Sequence, residues 1–173
     1  HNPAAIAAMG DLVDRLDVHG RRIAVAAMPG DRRDEDIVEG AKALAGHFDH
    51  YFLKPDDDRR GRGEMEVPNM LRDVLLQHGV SDSQITLMGS EVEAIDRGLE
   101  TAQPGDLLVV FADELARSWK QIIYFKKAER EAAAVAPTKP ERTVGFEELL
   151  AGGDTLIRDE RGVRLACGGE EAD

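Results

Sequence analysis

Four mainly apolar runs, each separated from the next by a stretch with helical periodicity, constrain this chain more than any other feature. The runs are Ile23 to Ala27, Phe48 to Leu53, Ile85 to Met88 and Leu107 to Phe111. A helix opens at Asn2-Pro3, a strong N-cap followed by a residue suited to the first helical position. It carries Ile6, Met9, Val13 and Leu16 and stops at Gly20. A second helix over about Asp36 to Ala45 shows Ile37, Ala41 and Leu44 on one face. A third begins near Pro68 and carries Leu71, Val74 and Leu75 to a stop at Gly79. Ser90 with Glu93 gives a capping box for a fourth, and Asp113 is the expected cap of a last helix that carries Leu115, Trp119, Ile122 and Ile123, with Trp119, Ile122 and Ile123 read as core packing. Alternation of this kind predicts an α/β fold, a three-layer, Rossmann-like, doubly wound and mostly parallel sheet. In such sheets ligands bind outside the carboxyl ends of the strands.

Residues 1–125 form this predicted domain. Residues 126–143, rich in Ala, Pro and charge, read as a linker. Residues 144–167 read as a small tail with one or two helical turns near Val144 to Leu150 and a β-hairpin from Thr155 to Leu165. Residues 168–173 read as a disordered acidic end. The start His1-Asn2-Pro3, without Met, suggests an excised or processed piece of a longer protein.

A net charge of −12 argues against nucleic acid as the partner. Apolar runs stay far below the roughly 20 residues of a membrane helix. The single Cys167 fits a reducing compartment and, with no signal-peptide pattern, the cytoplasm is the expected location.

Two charged loops fall at the carboxyl ends of the first two strands. The first, Met28 to Asp36, contains Asp31, Arg32, Arg33, Asp34 and Glu35, a mixture suited to anions through the arginine fork or to an amine through Asp; a solvated loop of local ion pairs is the plainer reading. The second, Lys54 to Gly63, holds Asp56-Asp57-Asp58 before Arg59, Arg60 and Arg62. Three adjacent carboxylates repel unless a cation offsets them: a guanidinium ligand, Mg²⁺, or the neighbouring arginines themselves. Asn2 is either a phosphate-binding helix start or a simple cap. His47 and His50 have no third metal ligand at a recognisable spacing, and no metal site is expected. There is no P-loop, no Gly-x-Gly-x-x-Gly after the first strand and no nucleophile with a neighbouring base, so no residue here is expected to be catalytic in isolation. A phosphoacceptor receiver is disfavoured, because Met88-Gly89 offers no acceptor Asp.

The start His1 to Ala5, the loop Pro29 to Asp36, the loop Asp56 to Arg62, and Pro104-Gly105-Asp106 leading to Val109-Val110-Phe111-Ala112-Asp113 together resemble the C-terminal domain of Mur ligases, closest to the cyanophycin-synthetase type. The resemblance covers about residues 1 to 125. It implies the closing domain of an ATP-dependent amide ligase, which positions arginine for attack on an acyl phosphate of a polyaspartate backbone. ATP and Mg²⁺ would be held mainly by a central domain outside this chain, and the full-length protein would be a homo-oligomer with N-terminal and central ligase domains.

By motif, the resemblance puts His1, Asn2, Asp31 and Arg32 near ATP, although the Asp that precedes His-Asn-Pro in the family is not in this chain. It puts Asp57, Asp58, Arg59 and Arg62 around the incoming amino acid. There related ligases have Asp-Asn-Pro-Arg, and here the Asn and Pro are replaced and carboxylates added, which suits a cationic amino acid. Arg33, Asp34, Asp113 and Glu114 are further candidates, the last two where the peptidoglycan ligases carry a Lys-Gly-His-Glu stretch that is absent here. The alternative from the residues alone is a stand-alone Rossmann-like module that binds a cationic small molecule or a protein partner.

Overall fold

The computed structural model describes residues 2–125, 155–159 and 162–166. The chain divides into two units, residues 1–129 and 130–173. In the first, α1 (Pro3–Arg15), β1 (Arg22–Ala26), α2 (Asp34–Leu44), β2 (His50–Leu53), α3 (Glu66–Gln77), β3 (Ile85–Leu87), α4 (Glu91–Thr101), β4 (Leu107–Val110) and α5 (Leu115–Tyr124) follow in the predicted order. All four strands are parallel, in the order β3-β2-β1-β4. The chain builds outward from β1 to β3 and then returns to the other side of β1. The switch point therefore lies between β1 and β4, where the crevice of a doubly wound sheet opens.

Period-two alternation along the central strands sorts the core into two faces. Ala24, Ala26, Tyr51 and Leu53 meet Ile6, Val13, Ile37, Ala41, Leu44, Leu71 and Leu75 of α1, α2 and α3. Ile23, Val25 and Phe52 meet Ala94 and Ile95 of α4, with Ile122 of α5 against them. Gly40 allows α2 to approach Met28 and Ile6; a Cβ there would touch the Met28 thioether at 2.9 Å. Ile6 beside Met28 puts the N-terminus of α1 at the carboxyl edge of the sheet. Its far end meets the amino edge, where Asp14 contacts His47 and Arg22.

Several local expectations change. Helix α2 starts at Asp34, two residues before the apolar period would place it, because Asp34, Glu35 and Asp36 fill its first turn and suit the positive helix end. Helix α3 starts at Glu66, with Pro68 tolerated in the first turn. Strand β2 begins at His50 rather than Phe48. Asp113 does not cap α5: its carboxylate is engaged elsewhere, and Glu114 accepts the N–H groups of Ala116 and Arg117 instead. Trp119 and Ile123 are not core residues but 43% and 50% exposed. Ser118 is buried and Ile122 packs toward the sheet, so the residues after each turn outward by about 100°.

In the second unit, β5 (Thr155–Asp159) pairs antiparallel with β6 (Gly162–Ala166), with Leu156 opposite Leu165. The expected linker, the helical turns near residues 144–150 and the acidic end lie outside the described residues, as does His1. Among the described residues no helix is long and apolar enough to cross a membrane.

Candidate functional site

The two charged loops are fastened to each other. Gly30 lies against the Arg59 carbonyl so closely that any Cβ would collide with it. Arg62 completes the joint. Its Nε donates to the Gly30 carbonyl (2.9 Å), and Nη2 donates to the Arg32 carbonyl and to Asp34 Oδ1 (2.7 Å each). Its Nη1 donates to Glu66 Oε1 at 2.7 Å. A planar fork with its donors distributed over four acceptors fixes both orientation and distance. Arg62 therefore ties loop to loop, and its guanidinium is committed to Gly30, Arg32, Asp34 and Glu66. Between the loops, Met28, Gly30, Pro55, Asp56, Arg59 and Arg62 border a cavity of only about 10 Å³. This is room for about one water, so the loops form a lip rather than an enclosure for a nucleotide or an amino acid.

On the first loop Asp31 and Arg32 are each about half exposed and 3.9 Å apart, a loose pair that leaves the Arg32 fork available. Arg33 closes onto Asp36 at 2.8 Å. Asn2 caps α1, its Oδ1 accepting the Ala5 N–H at 2.8 Å. It lies on the same edge of the sheet as the loops.

On the second loop the acidic triad has internal partners. Asp56 Oδ1 accepts the Asp58 N–H at 2.8 Å, an Asx-type turn. Asp58 pairs with Arg60 at 2.5 Å, both well exposed, and Arg60 takes a left-handed φ of 48° beside Gly61. Arg59 reaches Glu64 at 3.5 Å. Asp57 Oδ2 receives Arg117 Nη1 at 2.6 Å. A neighbouring arginine thus offsets Asp58, as the plainer sequence reading allowed, whereas Asp57 is offset by Arg117 of α5, which that reading did not include. Residue by residue, the structure brings Asp57 and Asp113 together, and joins Asp34 to Arg62. It leaves Glu114 as a helix cap.

Sequence reasoning missed a buried charge cluster behind the second loop. Lys54, directly after β2 and fully buried, bonds Glu91 Oε2 at 2.8 Å and Asp113 Oδ2. Glu91, at the start of α4 and also fully buried, receives Asp113 N–H (2.7 Å), Arg117 Nη2 (2.6 Å) and Ser118 Oγ (2.6 Å). Asp113 Oδ2 also accepts the Asp57 N–H at 3.1 Å, while its Oδ1 is buried without a hydrogen-bond partner. Burial works against the Glu91 charge, but the donors from Lys54, Ser118, Asp113 and Arg117 outweigh it and pull the carboxyl down to about 2. Asp113, with burial dominant over Lys54, is pushed up. Two carboxylates share one lysine, and the shift is downward for the one with more donors and upward for the other. Lys54 was legible only as the first polar residue after an apolar run; nothing in the local sequence joins it to residues 91, 113 and 117.

His47 turns to Asp14 and His50 to Thr86, so the two do not converge. Among the described residues no three His, Cys, Asp or Glu side chains gather in a way that would hold a metal ion.

The fold and its charged edge define a Rossmann-like α/β domain with its polar machinery at the carboxyl ends of β1, β2 and β4. The family model described as "Mur ligase, glutamate ligase domain" matches residues 1–114, and the chain belongs to that family. It is 38% identical over 119 residues to the cyanophycin synthetase of Crocosphaera subtropica, covering 68% of this chain and 13% of that protein. It is 37% identical over 126 residues to the cyanophycin synthetase of Trichormus variabilis, covering 70% of this chain and 13% of the relative. The chain thus spans about an eighth of the length of these relatives. Among solved structures, a UDP-N-acetylmuramoyl-L-alanyl-D-glutamate–2,6-diaminopimelate ligase shares the fold at a TM-score of 0.51 and 24% identity, over 64% of this chain and 22% of that one.

Proposed function

We propose that this chain is the C-terminal, closing domain of an ATP-dependent amide ligase of the cyanophycin-synthetase type, and that its second loop positions arginine. The observation that carries the reading is the joint between the loops: Arg62 and the Gly30–Arg59 contact make the two charged loops one rigid lip at the sheet's carboxyl edge. The family membership and the relatives named cyanophycin synthetase support it.

In this reading ATP, held chiefly by a central domain, supplies the phosphoryl group that activates the acceptor carboxylate. The residues of this chain bind and orient. Arg32, engaged only loosely by Asp31, faces phosphate oxygens together with the start of α1 at Asn2; His1 belongs to the same segment. Asp57, Asp58 and Arg59 hold the incoming amino acid, the carboxylates taking its guanidinium and Arg59 its carboxylate. Arg62 acts by positioning the lip, with Asp34 as its partner. Closure of the lip excludes water from the reactive acyl group. Mg²⁺, like ATP, would be held chiefly by the central domain.

The test uses the full-length ligase. Asp58→Ala is expected to raise KM for arginine roughly 10- to 100-fold, the equivalent of about 1.5–3 kcal/mol for a hydrogen bond to a charged group. KM for ATP should stay close to wild type. Residues 1–173 alone should show no ligation, and arginine ligation by this chain alone overturns the closing-domain reading.

A further inference from the structure

We propose that Arg117 is an internal guanidinium that occupies the acidic loop and competes with the cationic ligand for Asp57. The inference rests on the reading of that loop as a cation site. Arg117 lies on α5, outside the loop, and holds Asp57 Oδ2 at 2.6 Å through Nη1 while Nη2 holds the buried Glu91 at 2.6 Å. One fork spans both carboxylates. The Asp57 end is the looser: its side chain is 48% exposed, against none for Glu91. An incoming guanidinium can therefore displace Nη1 from Asp57 while Arg117 stays anchored to Glu91.

The charge count favours such an exchange. Among the described residues the ion-pair partners of Asp57, Glu91 and Asp113 are Lys54 and Arg117, and Asp113 Oδ1 is buried without a partner beside the Asp57 N–H that its other oxygen accepts. A second cation brought to Asp57 meets a cluster one positive charge short, but it also meets the like charge of Arg117. Arg117 thus sets a threshold. Only a ligand able to match a guanidinium on a carboxylate replaces it.

The test titrates residues 1–173 with L-arginine, with agmatine, which keeps the guanidinium and lacks the carboxylate, and with L-lysine, following backbone amide shifts by NMR. Arg117→Gln is expected to tighten agmatine and arginine roughly two- to five-fold, the scale of a partly exposed ion pair. Arg117→Lys leaves a cation on Glu91 but cannot span both carboxylates. It should tighten them too, and it serves if Arg117→Gln does not fold. Unchanged or weaker agmatine binding in both variants overturns the inference, as does weakening of arginine alone, which would make Arg117 the seat of the substrate carboxylate. Arginine binding that is lost in Asp58→Ala yet not tightened in the Arg117 variants removes the inference and leaves the proposed function standing. Tightening of lysine but not arginine upholds competition and overturns arginine as the ligand.

Discussion

The two edges of the sheet each carry a buried carboxylate that gathers several donors, and they use it differently. At the amino edge Asp106 accepts the backbone N–H groups of Arg21 and Gln103 and the Arg21 guanidinium. One acid faces one base, and the result ties the residue before β4 to the residue before β1. At the carboxyl edge Glu91 gathers as many donors, but three carboxylates face two cations, and one oxygen of Asp113 has no partner. The balanced edge is a staple. The unbalanced edge is held together with charge left over, and that surplus lies under the loop proposed to take a cation.

The largest expected effect breaks the carboxyl edge. Glu91→Gln leaves Lys54 and Arg117 short of their shared partner, and breaking a buried ionic network typically costs about 3–5 kcal/mol. Asp106→Asn at the amino edge keeps an acceptor for only one of the two backbone donors, which bond different oxygens, and faces a half-exposed arginine, so about 1–3 kcal/mol is expected. Urea unfolding of the two variants compares the edges directly, and equal losses would remove the distinction between them.

Gly30→Ala comes next. Its methyl group would push against the Arg59 carbonyl and open the joint between the loops, costing about 1–3 kcal/mol as overpacking does. Amide shifts should change across both loops together; changes confined to the first loop would contradict a single lip.

A pH series sharpens the same comparison. Glu91 sits at about 2 in the folded chain, below its ordinary 4.5, so its contribution is complete above about 4.5 and is lost as pH falls toward 2. Asp113 has the opposite sign: its raised value favours the folded state while it is protonated, and that advantage disappears as pH rises through its folded value. Unfolding free energies measured between pH 2 and 7 should fall toward acid in wild type, and Glu91→Gln should flatten that limb.

The smallest effect is expected on α5. Trp119→Ala removes a ring that is nearly half exposed, and its cost should stay below that of Glu91→Gln.

Much of the fold was legible because burial repeats locally. Ile23 and Val25 alternate with Ala24 and Ala26, and Ile37, Ala41 and Leu44 recur at helical spacing, so the order of elements and the parallel sheet could be read from periodicity. The edges were less legible. Asp34, Glu35 and Asp36 belong to α2 through the helix dipole, which apolar periodicity does not register. On α5, apolar side chains at Trp119 and Ile123 read as core, whereas it is Ser118, hydrogen-bonded to Glu91, that is buried. The positions of the two charged loops followed from the strands they terminate. Their internal pairing did not: Arg62 to Gly30 and Asp34, and Arg117 to Asp57 and Glu91, join residues about 30 to 60 positions apart, and composition shows that charges are present without showing which acid meets which base.

The most direct measurement of the central claim is an NMR titration of residues 1–173 with L-arginine, beside an Asp57→Ala, Asp58→Ala double variant. Saturable amide shifts centred on residues 55–62 in wild type, and lost in the double variant, are the expected result. Shifts that persist unchanged in the double variant, or that centre elsewhere on the domain, would contradict the assignment of the second loop to the incoming amino acid.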